Sequence, residues 1–142
     1  MTSVGLGAPG SGASTWVLVV SLEHARRGVE GGFVMANHGK RAPLARMRAG
    51  DGLLVYSPTP TYPGGAPLRA VTIAGRVTGE GPEPSDVIAG GFRRRAELTE
   101  LSEAIPLAEV RDHLPTSRLR FGCFELGEPG AGVIWREVGR RT

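Results

Sequence analysis

The most informative stretch of the sequence is GFVMANHGKRAPLARMRAGDGLLVYSP, residues 32–58. A short apolar segment (32–36) leads into a polar, glycine-containing turn (37–40), and Pro43 suits the first position of a helix of one or two turns. A tight glycine turn (49–52) then precedes an apolar run (53–57), in which neighbouring side chains alternate between two faces. This order predicts a strand, a turn, a short helix and a second strand.

The flanking sequence continues the pattern of short strands separated by Gly-rich and Pro-rich breaks. Further strands are predicted at 15–21, 68–77, 92–98 and 119–126. Short helices are predicted at 22–26, 107–114 and 133–140, and loops at 57–67 and 79–91. Helical segments this short and few argue against a doubly wound sheet. The pattern favours an α+β fold in which a small, curved sheet closes into a barrel.

Length and composition indicate one ordinary globular domain. The chain has 142 residues, of which 40% are hydrophobic and 22% charged. We expect residues 1–14 to form a flexible tail and residues 15–142 a single domain. The tail lacks the pattern of a secretory signal, and no apolar run approaches the about 18 residues of a membrane span.

Cys123 is the single cysteine of the sequence, so neither an internal disulfide nor a cysteine-rich zinc site is expected. We interpret it as a buried strand thiol, and infer a reducing, cytoplasmic location. No nucleophile elbow, phosphate-binding loop or dinucleotide fingerprint is present, and the three histidines lack metal-ligand spacing. The sequence therefore predicts no cofactor, no metal site and no catalysis. An enzyme that acts on a nucleoside or RNA, with His38 as general base, is an open alternative.

The basic residues are 16 Arg and one Lys, with a net charge of +3 and a pI near 9.7. This balance permits nucleic-acid binding without requiring it. Asn37, His38 and Lys40 occupy the polar turn, and Tyr56 ends the following strand. An amide can match a base edge, a lysine can meet a phosphate, and an aromatic ring can stack on a base. Turn closure, core packing and solvation are equally available roles for these residues.

Together, three motifs resemble the EVE domain family of the PUA-like superfamily, which also contains the YTH readers of methylated RNA. The motifs are HGK (38–40), RMRAGD (46–51) and YSP (56–58), supported by Trp16 at the start of the first strand and RFG at 120–122. The similarity runs from about Trp16 to about Leu126. It implies a PUA-like mixed β-barrel of five to six strands flanked by short helices, and a domain that recognises a modified base in DNA or RNA.

The resemblance also implies a set of site residues. The expected pocket is aromatic-walled and comprises Trp16, Ser21, Phe33, Asn37, His38, Lys40, Tyr56, Ser57 and Phe121. The expected phosphate-facing residues are Arg41, Arg46, Arg93, Arg94 and Arg95. The chain departs from the family in having only Phe92 as an aromatic residue before the three arginines, which places the phosphate-facing side in doubt.

Two further expectations complete the prediction. The HGK turn and the YSP strand end must lie on one concave surface large enough for a flat ring. The alternative function is a module that binds a small ligand or a protein, for which the Pro-rich loop 57–67 offers a contact surface.

Overall fold

A computed structural model describes residues 7–61 and 65–142, so parts of the predicted tail (1–6) and Pro-rich loop (62–64) lie outside the described residues. Within these ranges the chain forms six strands, four α-helices and one 3-10 helix. In chain order they are β1 (Thr15–Val19), α1 (Leu22–Gly31), β2 (Phe33–Val34), α2 (Arg41–Ala45), β3 (Gly52–Ser57), β4 (Ala70–Pro84), β5 (Phe92–Pro106), α3 (Leu107–Val110), the 3-10 helix (Thr116–Phe121), β6 (Cys123–Leu126) and α4 (Gly130–Gly139).

The six strands form one mixed sheet in the order β2-β5-β4-β3-β1-β6. β1 and β3 are parallel, and the other neighbouring strands are antiparallel. The parallel pair arises because α1, β2 and α2 intervene between β1 and β3, and parallel neighbours require such a crossover. The sheet curls into a half-barrel with short helices around it, which confirms the predicted α+β, PUA-like fold.

Two helices cover different parts of the sheet. On α4, Ile134, Trp135 and Val138 follow helical spacing and are buried in the larger core cluster, together with side chains from β1, β3 and β4. On α2, Leu44 is fully buried in a second cluster that includes Trp16. Successive strand residues point to opposite faces. Val17, Leu54 and Tyr56 therefore belong to the larger cluster, and Trp16, Leu18 and Leu53 to the second.

The predicted loop 79–91 is wrong over its first half, because β4 continues to Pro84 and pairs with β5 up to Phe92. The register shifts between Val77 and Pro82, which marks an irregular stretch rather than the end of the ladder. Only residues 85–91 form a loop, and this loop lies beside the candidate site described below.

The predicted last strand, 119–126, is also wrong over its first half. Residues Thr116–Phe121 form a 3-10 helix, and β6 begins only at Cys123. Gly122 connects the two with a φ of 79°, a conformation that glycine adopts without steric cost. Phe121 therefore does not belong to a strand, and its side chain is 52% exposed.

Helix α1 extends beyond its predicted end, passing through Gly28 to Gly31. A side chain at Gly28 would collide with the carbonyl oxygen of Phe33, so glycine here permits close packing of α1 on β2. The end of the predicted tail is held by two bonds: Ser14 N donates to Asp51 Oδ1 at 3.1 Å, and Ser14 O accepts from Gly52 N at 2.8 Å. Among the described residues, no helix combines the length and the apolar character that crossing a membrane requires.

Candidate functional site

A cavity of about 660 Å³ opens where the carboxyl ends of β1 and β3 meet α1, and we call it the Ser21 cavity. Its volume lies within the about 300–1,000 Å³ typical of small-molecule sites. Most of its wall is apolar. Its lining includes Leu18, Val20, Ser21, His24, Arg27, Phe33, Asn37, His38, Gly39, Val55, Pro58, Val87, Ile88, Leu98, Arg120 and Gly122.

The HGK turn and the YSP strand end line this one cavity, through His38 and Gly39 on one side and Pro58 on the other. Asn37 and His38 both have positive φ, 48° and 60°, and Gly39 N donates to Ala36 O at 3.0 Å. These are the features of a type I′ turn, in which Asn is favoured. The turn therefore fixes two polar side chains at the cavity wall.

The turn is held from both sides. A side chain on Gly122 would collide with the Asn37 side-chain oxygen, so Asn37 lies against the start of β6. On the other side, Gly39 O accepts from Phe92 N at 2.8 Å, which ties the turn to the end of the loop 85–91. The turn thus bridges the two edges of the curled sheet, β2 and β6, next to the cavity.

Ser21 is the least satisfied buried group of the cavity. Its side chain is 6% exposed, and Oγ has no hydrogen-bond partner among residues 7–61 and 65–142. Buried polar groups in folded proteins are nearly always hydrogen-bonded, and each exception requires an explanation. Ser21 belongs to the cavity lining, so its unpaired hydroxyl lies at the cavity wall.

Phe33 supplies the aromatic part of the wall. Its ring is half-buried, and the Arg93 guanidinium lies over it, 5.2 Å from the ring centroid. Arg93 is itself held by Glu83 at 2.9 Å and by Asp86 at 3.2 Å. The Phe33 ring is therefore covered by an arginine whose own position is fixed by two ion pairs.

Five of the predicted pocket residues do not line the cavity. Trp16, Tyr56 and Ser57 are buried in the protein interior, where Trp16 Nε1 donates to Asp51 Oδ2 at 2.9 Å. Burial raises the pKa of Tyr56. Lys40 is exposed at the start of α2, and Phe121 is exposed on the 3-10 helix. The structure brings together Ser21, Phe33, Asn37 and His38 from the predicted set.

Arg94 does not belong to the phosphate-facing set predicted from the sequence. It is 1% exposed, and its guanidinium donates to three backbone carbonyls: Leu44 at 2.9 Å, Met47 at 2.7 Å and Gly79 at 3.1 Å. The side chain clamps the end of α2 to β4. Its donors are used by the protein's own backbone, so it is not presented to a phosphate.

The other predicted arginines lie at the surface in different settings. Arg93 and Arg95 both pair with Glu83, at 2.9 Å each. Arg41 and Arg46 are exposed, and Arg46 covers Trp16 at 5.2 Å from the ring centroid. None of them lines the Ser21 cavity.

Three basic residues that line the cavity were not predicted from the sequence: His24, Arg27 and Arg120. His24 and Arg27 are three residues apart on α1 and therefore share a helix face, which was the available signal. Arg120 lies on the 3-10 helix, where the sequence predicts a strand. The direction of its side chain therefore could not be predicted correctly from the sequence.

Asp51 stands at a second, smaller cavity of about 330 Å³, which Trp16 and Arg46 also line. Its carboxylate accepts from Trp16 Nε1, Arg48 N and Ser14 N, at 2.9, 2.9 and 3.1 Å. Three donors satisfy the carboxylate from within the protein. This arrangement joins the segment before β1, the strand itself and the RMRAGD turn, and it explains the motif structurally.

Sequence comparison places the chain among known proteins. A protein from Renibacterium salmoninarum, named as a UPF0310 protein, is 46% identical over 99 residues, which cover 70% of this chain and 71% of that protein. The chain belongs to the UPF0310 family. A UPF0310 protein from Streptococcus sanguinis is 39% identical over 119 residues, 80% of this chain and 84% of the relative. No family model matches the sequence.

Solved structures share the fold of this UPF0310 protein. The YTH domain of a Zygosaccharomyces rouxii protein, in complex with N6-methyladenosine RNA, has a TM-score of 0.64 and 10% identity, covering 96% of this chain and 93% of that domain. Human THYN1, in complex with DNA containing 5-methylcytosine, has a TM-score of 0.56 and 12% identity, covering 92% of this chain and all of that one. At such low identity the likeness shows the fold alone.

The described part of this UPF0310 protein contains no group of three or more His, Cys, Asp or Glu residues arranged to hold a metal ion. Cys123 lies next to the cavity-lining Gly122, and burial raises the pKa of its thiol to about 11. A thiol with that pKa is protonated at neutral pH and is a weak nucleophile.

Proposed function

We propose that this UPF0310 protein is a nucleic-acid-binding domain of the EVE type that takes a modified base of DNA or RNA into the Ser21 cavity, and that it is not an enzyme. Two structural relatives with the same fold bind RNA or DNA that carries a methylated base, as their names state. The Ser21 cavity has the volume for a nucleobase, and two segments that carry the family resemblance meet in it.

The observation that supports this proposal most directly is the unpaired Ser21 hydroxyl. Leaving a buried polar group without a partner costs about 1–3 kcal/mol. A base edge supplies hydrogen-bond donors and acceptors that would remove this cost on binding. The Asn37 amide, which lines the same cavity, offers a planar donor and acceptor for a second contact.

The remaining wall suits a flat, weakly polar ring. The half-buried Val20 and Leu98 present aliphatic surface, and the half-buried Phe33 presents an aromatic one. A base that enters such a cavity must first leave its stack, as enzymes and readers that recognise single bases require. A methyl substituent on the base would add apolar contact with the aliphatic side chains, and each buried CH₂-sized group contributes about 0.8 kcal/mol.

Cationic side chains at and near the cavity can contact the phosphates of a bound nucleic acid. Arg27 and Arg120 are exposed residues that also line the cavity; the exposed Lys40 ends the HGK turn, and the exposed Arg41 follows it directly. Contacts from arginine and lysine to phosphates hold a nucleic acid in place without reading its sequence. The affinity should therefore fall as the salt concentration rises.

Fluorescence anisotropy with labelled single-stranded oligonucleotides tests the proposal. The probes are matched DNA and RNA nonamers whose central base is unmodified, 5-methylcytosine or N6-methyladenine. We expect one modified probe to bind about tenfold tighter than its unmodified counterpart, which corresponds to about 1.4 kcal/mol. Ser21→Ala should weaken that binding about 5- to 10-fold, because the variant lacks the hydroxyl that contacts the base.

Ser57→Ala is the matched control, because Ser57 is a buried serine that does not line the cavity. It should bind the preferred probe with wild-type affinity. Equal and negligible binding of all probes at low salt would contradict the proposal. Equal affinity for the free nucleoside and the oligonucleotide would favour a small-ligand module instead.

A further inference from the structure

The 3-10 helix carries a basic aromatic surface beside the Ser21 cavity, and we call Arg118, Arg120 and Phe121 the Phe121 ledge. Phe121 is 52% exposed, which is unusual for a large apolar side chain in this protein. The Arg120 guanidinium lies 5.2 Å from the centroid of its ring. Within residues 7–61 and 65–142, neither Arg118 nor Arg120 forms an ion pair with a carboxylate.

The ledge is continuous with the cavity. Arg120 and Gly122 line the Ser21 cavity, whereas Phe121 between them does not. The 3-10 helix ends here, and Gly122, with its φ of 79°, turns the chain into β6. The exposed Phe121 ring thus neighbours two cavity-lining residues in the chain, and the guanidinium of one of them, Arg120, lies over it.

We infer that the nucleotide next to the recognised base stacks on Phe121, while Arg120 contacts the phosphate that joins the two nucleotides. This inference rests on the proposed function. An exposed aromatic ring accepts any nucleobase, because every base has a π-face. Arginine pairs readily with phosphate through its planar fork of donors. The substrate class that follows is a single-stranded or locally unpaired segment of at least two nucleotides.

The other exposed apolar residues near the cavity fit a nucleic acid less well. Val87 and Ile88 are 50% and 36% exposed and line the cavity from the loop 85–91. Their neighbour Asp86 has a side chain that is 81% exposed, and its carboxylate would repel a phosphate. These residues also lack an aromatic face for stacking. Charge and shape therefore favour the Phe121 ledge as the path of the strand.

The test uses the full chain and single-stranded pentanucleotides whose central base is the modified base preferred in the nonamer experiment. In a second set, both neighbours of the central base are replaced by abasic sites, which keep the phosphates but remove the flanking bases. Wild-type protein should bind the first set about 5-fold or more tightly than the second, because stacking of one base is lost. Phe121→Ala should bind both sets equally, and Phe121→Trp should restore the difference.

Arg120→Gln should lower the slope of log affinity against log salt by about one phosphate contact. Arg136→Gln is the matched control, because it removes one exposed positive charge from α4, away from the cavity lining. Equal binding of the two probe sets by the wild type, or a Phe121→Ala variant that still distinguishes them, would overturn the inference and leave the proposed function standing. Failure of the wild type to bind any pentanucleotide or nonamer would overturn both.

Discussion

Ser21 and Ser57 occupy comparable places at the carboxyl ends of two neighbouring parallel strands, β1 and β3, yet they differ in their hydrogen bonding. Ser57 is fully buried and its hydroxyl bonds to that of Thr72 at 2.8 Å. Ser21 is 6% exposed and its hydroxyl has no partner among the described residues. The same side chain thus forms a hydrogen bond at the end of β3 and is unpaired two residues beyond the end of β1.

Two charged groups extend the comparison. Asp51 is 4% exposed and accepts three hydrogen bonds, and Arg94 is 1% exposed and donates to three carbonyls. The polar atoms of these groups, like the Ser57 hydroxyl, already form hydrogen bonds within the protein. The difference teaches that polarity and burial alone do not distinguish a structural group from an unused one in this protein, and that Ser21 is singled out by its unpaired hydroxyl beside a cavity.

The largest effect is expected at Asp51. Asp51→Ala leaves three donors without their acceptor, including the indole of buried Trp16. Each unsatisfied buried group costs about 1–3 kcal/mol, and we expect the free energy of unfolding to fall by about 3–4 kcal/mol in urea denaturation. Asp86→Ala, which removes a carboxylate with an 81% exposed side chain, is the control and should change it by less than about 1 kcal/mol. A loss at Asp51 no greater than at Asp86 would break the comparison.

The two serines provide a sharper test with smaller effects. Ser57→Ala leaves the Thr72 hydroxyl unpaired and should lower the free energy of unfolding by about 1 kcal/mol. Ser21→Ala removes a hydroxyl that has no partner, and should leave stability unchanged or raise it slightly. Thermal unfolding of the two variants side by side measures the difference. A Ser21→Ala protein that is destabilised as much as Ser57→Ala would show that the Ser21 hydroxyl is structurally engaged.

At neutral pH the smallest effect on stability is expected at Cys123, because its thiol is protonated in both the folded and the unfolded state. Because burial raises its pKa from 9.0 to about 11, the folded state holds the thiol proton more tightly than the unfolded state. The corresponding stability is present below about pH 9 and is lost as the pH rises towards 11. Burial also raises the pKa of Tyr56, so the Cys123→Ala variant is the necessary reference.

Alkylation by iodoacetamide at pH 8, followed by mass spectrometry, measures the same shift directly. The two-unit rise in pKa lowers the thiolate fraction about 100-fold, and only the thiolate reacts. Native protein should therefore react at least that much more slowly than urea-unfolded protein. Equal rates would show that the thiol is accessible and ordinary in the folded state.

The sequence predicted the fold because its strands carry local signals. β1 and β3 are apolar runs, and glycine turns or short helices separate them as predicted. The prediction was wrong where pairing with a distant strand overrides the conformational preference of the local residues. The segment of β4 beyond Val77 contains Gly79, Gly81, Pro82 and Pro84, which favour a loop, yet it pairs with β5. Only the long-range ladder makes that segment a strand.

The candidate site was predicted in part, and the errors have a common physical cause. Strand periodicity established that Val55 and Tyr56 point to opposite faces, but not which face of the curled sheet lines a cavity. In the structure Val55 lines the cavity, whereas Tyr56 packs in the larger core cluster. The unpaired state of Ser21 depends on what surrounds it in space, and the buried position of Arg94 depends on carbonyls from α2 and β4. No local pattern encodes these relations.

The left-handed turn at Asn37 and His38 has a consequence for how this protein can change. Non-glycine residues in this conformation cost about 1–2 kcal/mol, less for Asn, and glycine would adopt it freely. Replacing His38 by glycine should thus make the chain more robust while it erases a functional group from the cavity wall. Under the proposed function, stability and base recognition therefore place opposite demands on residue 38.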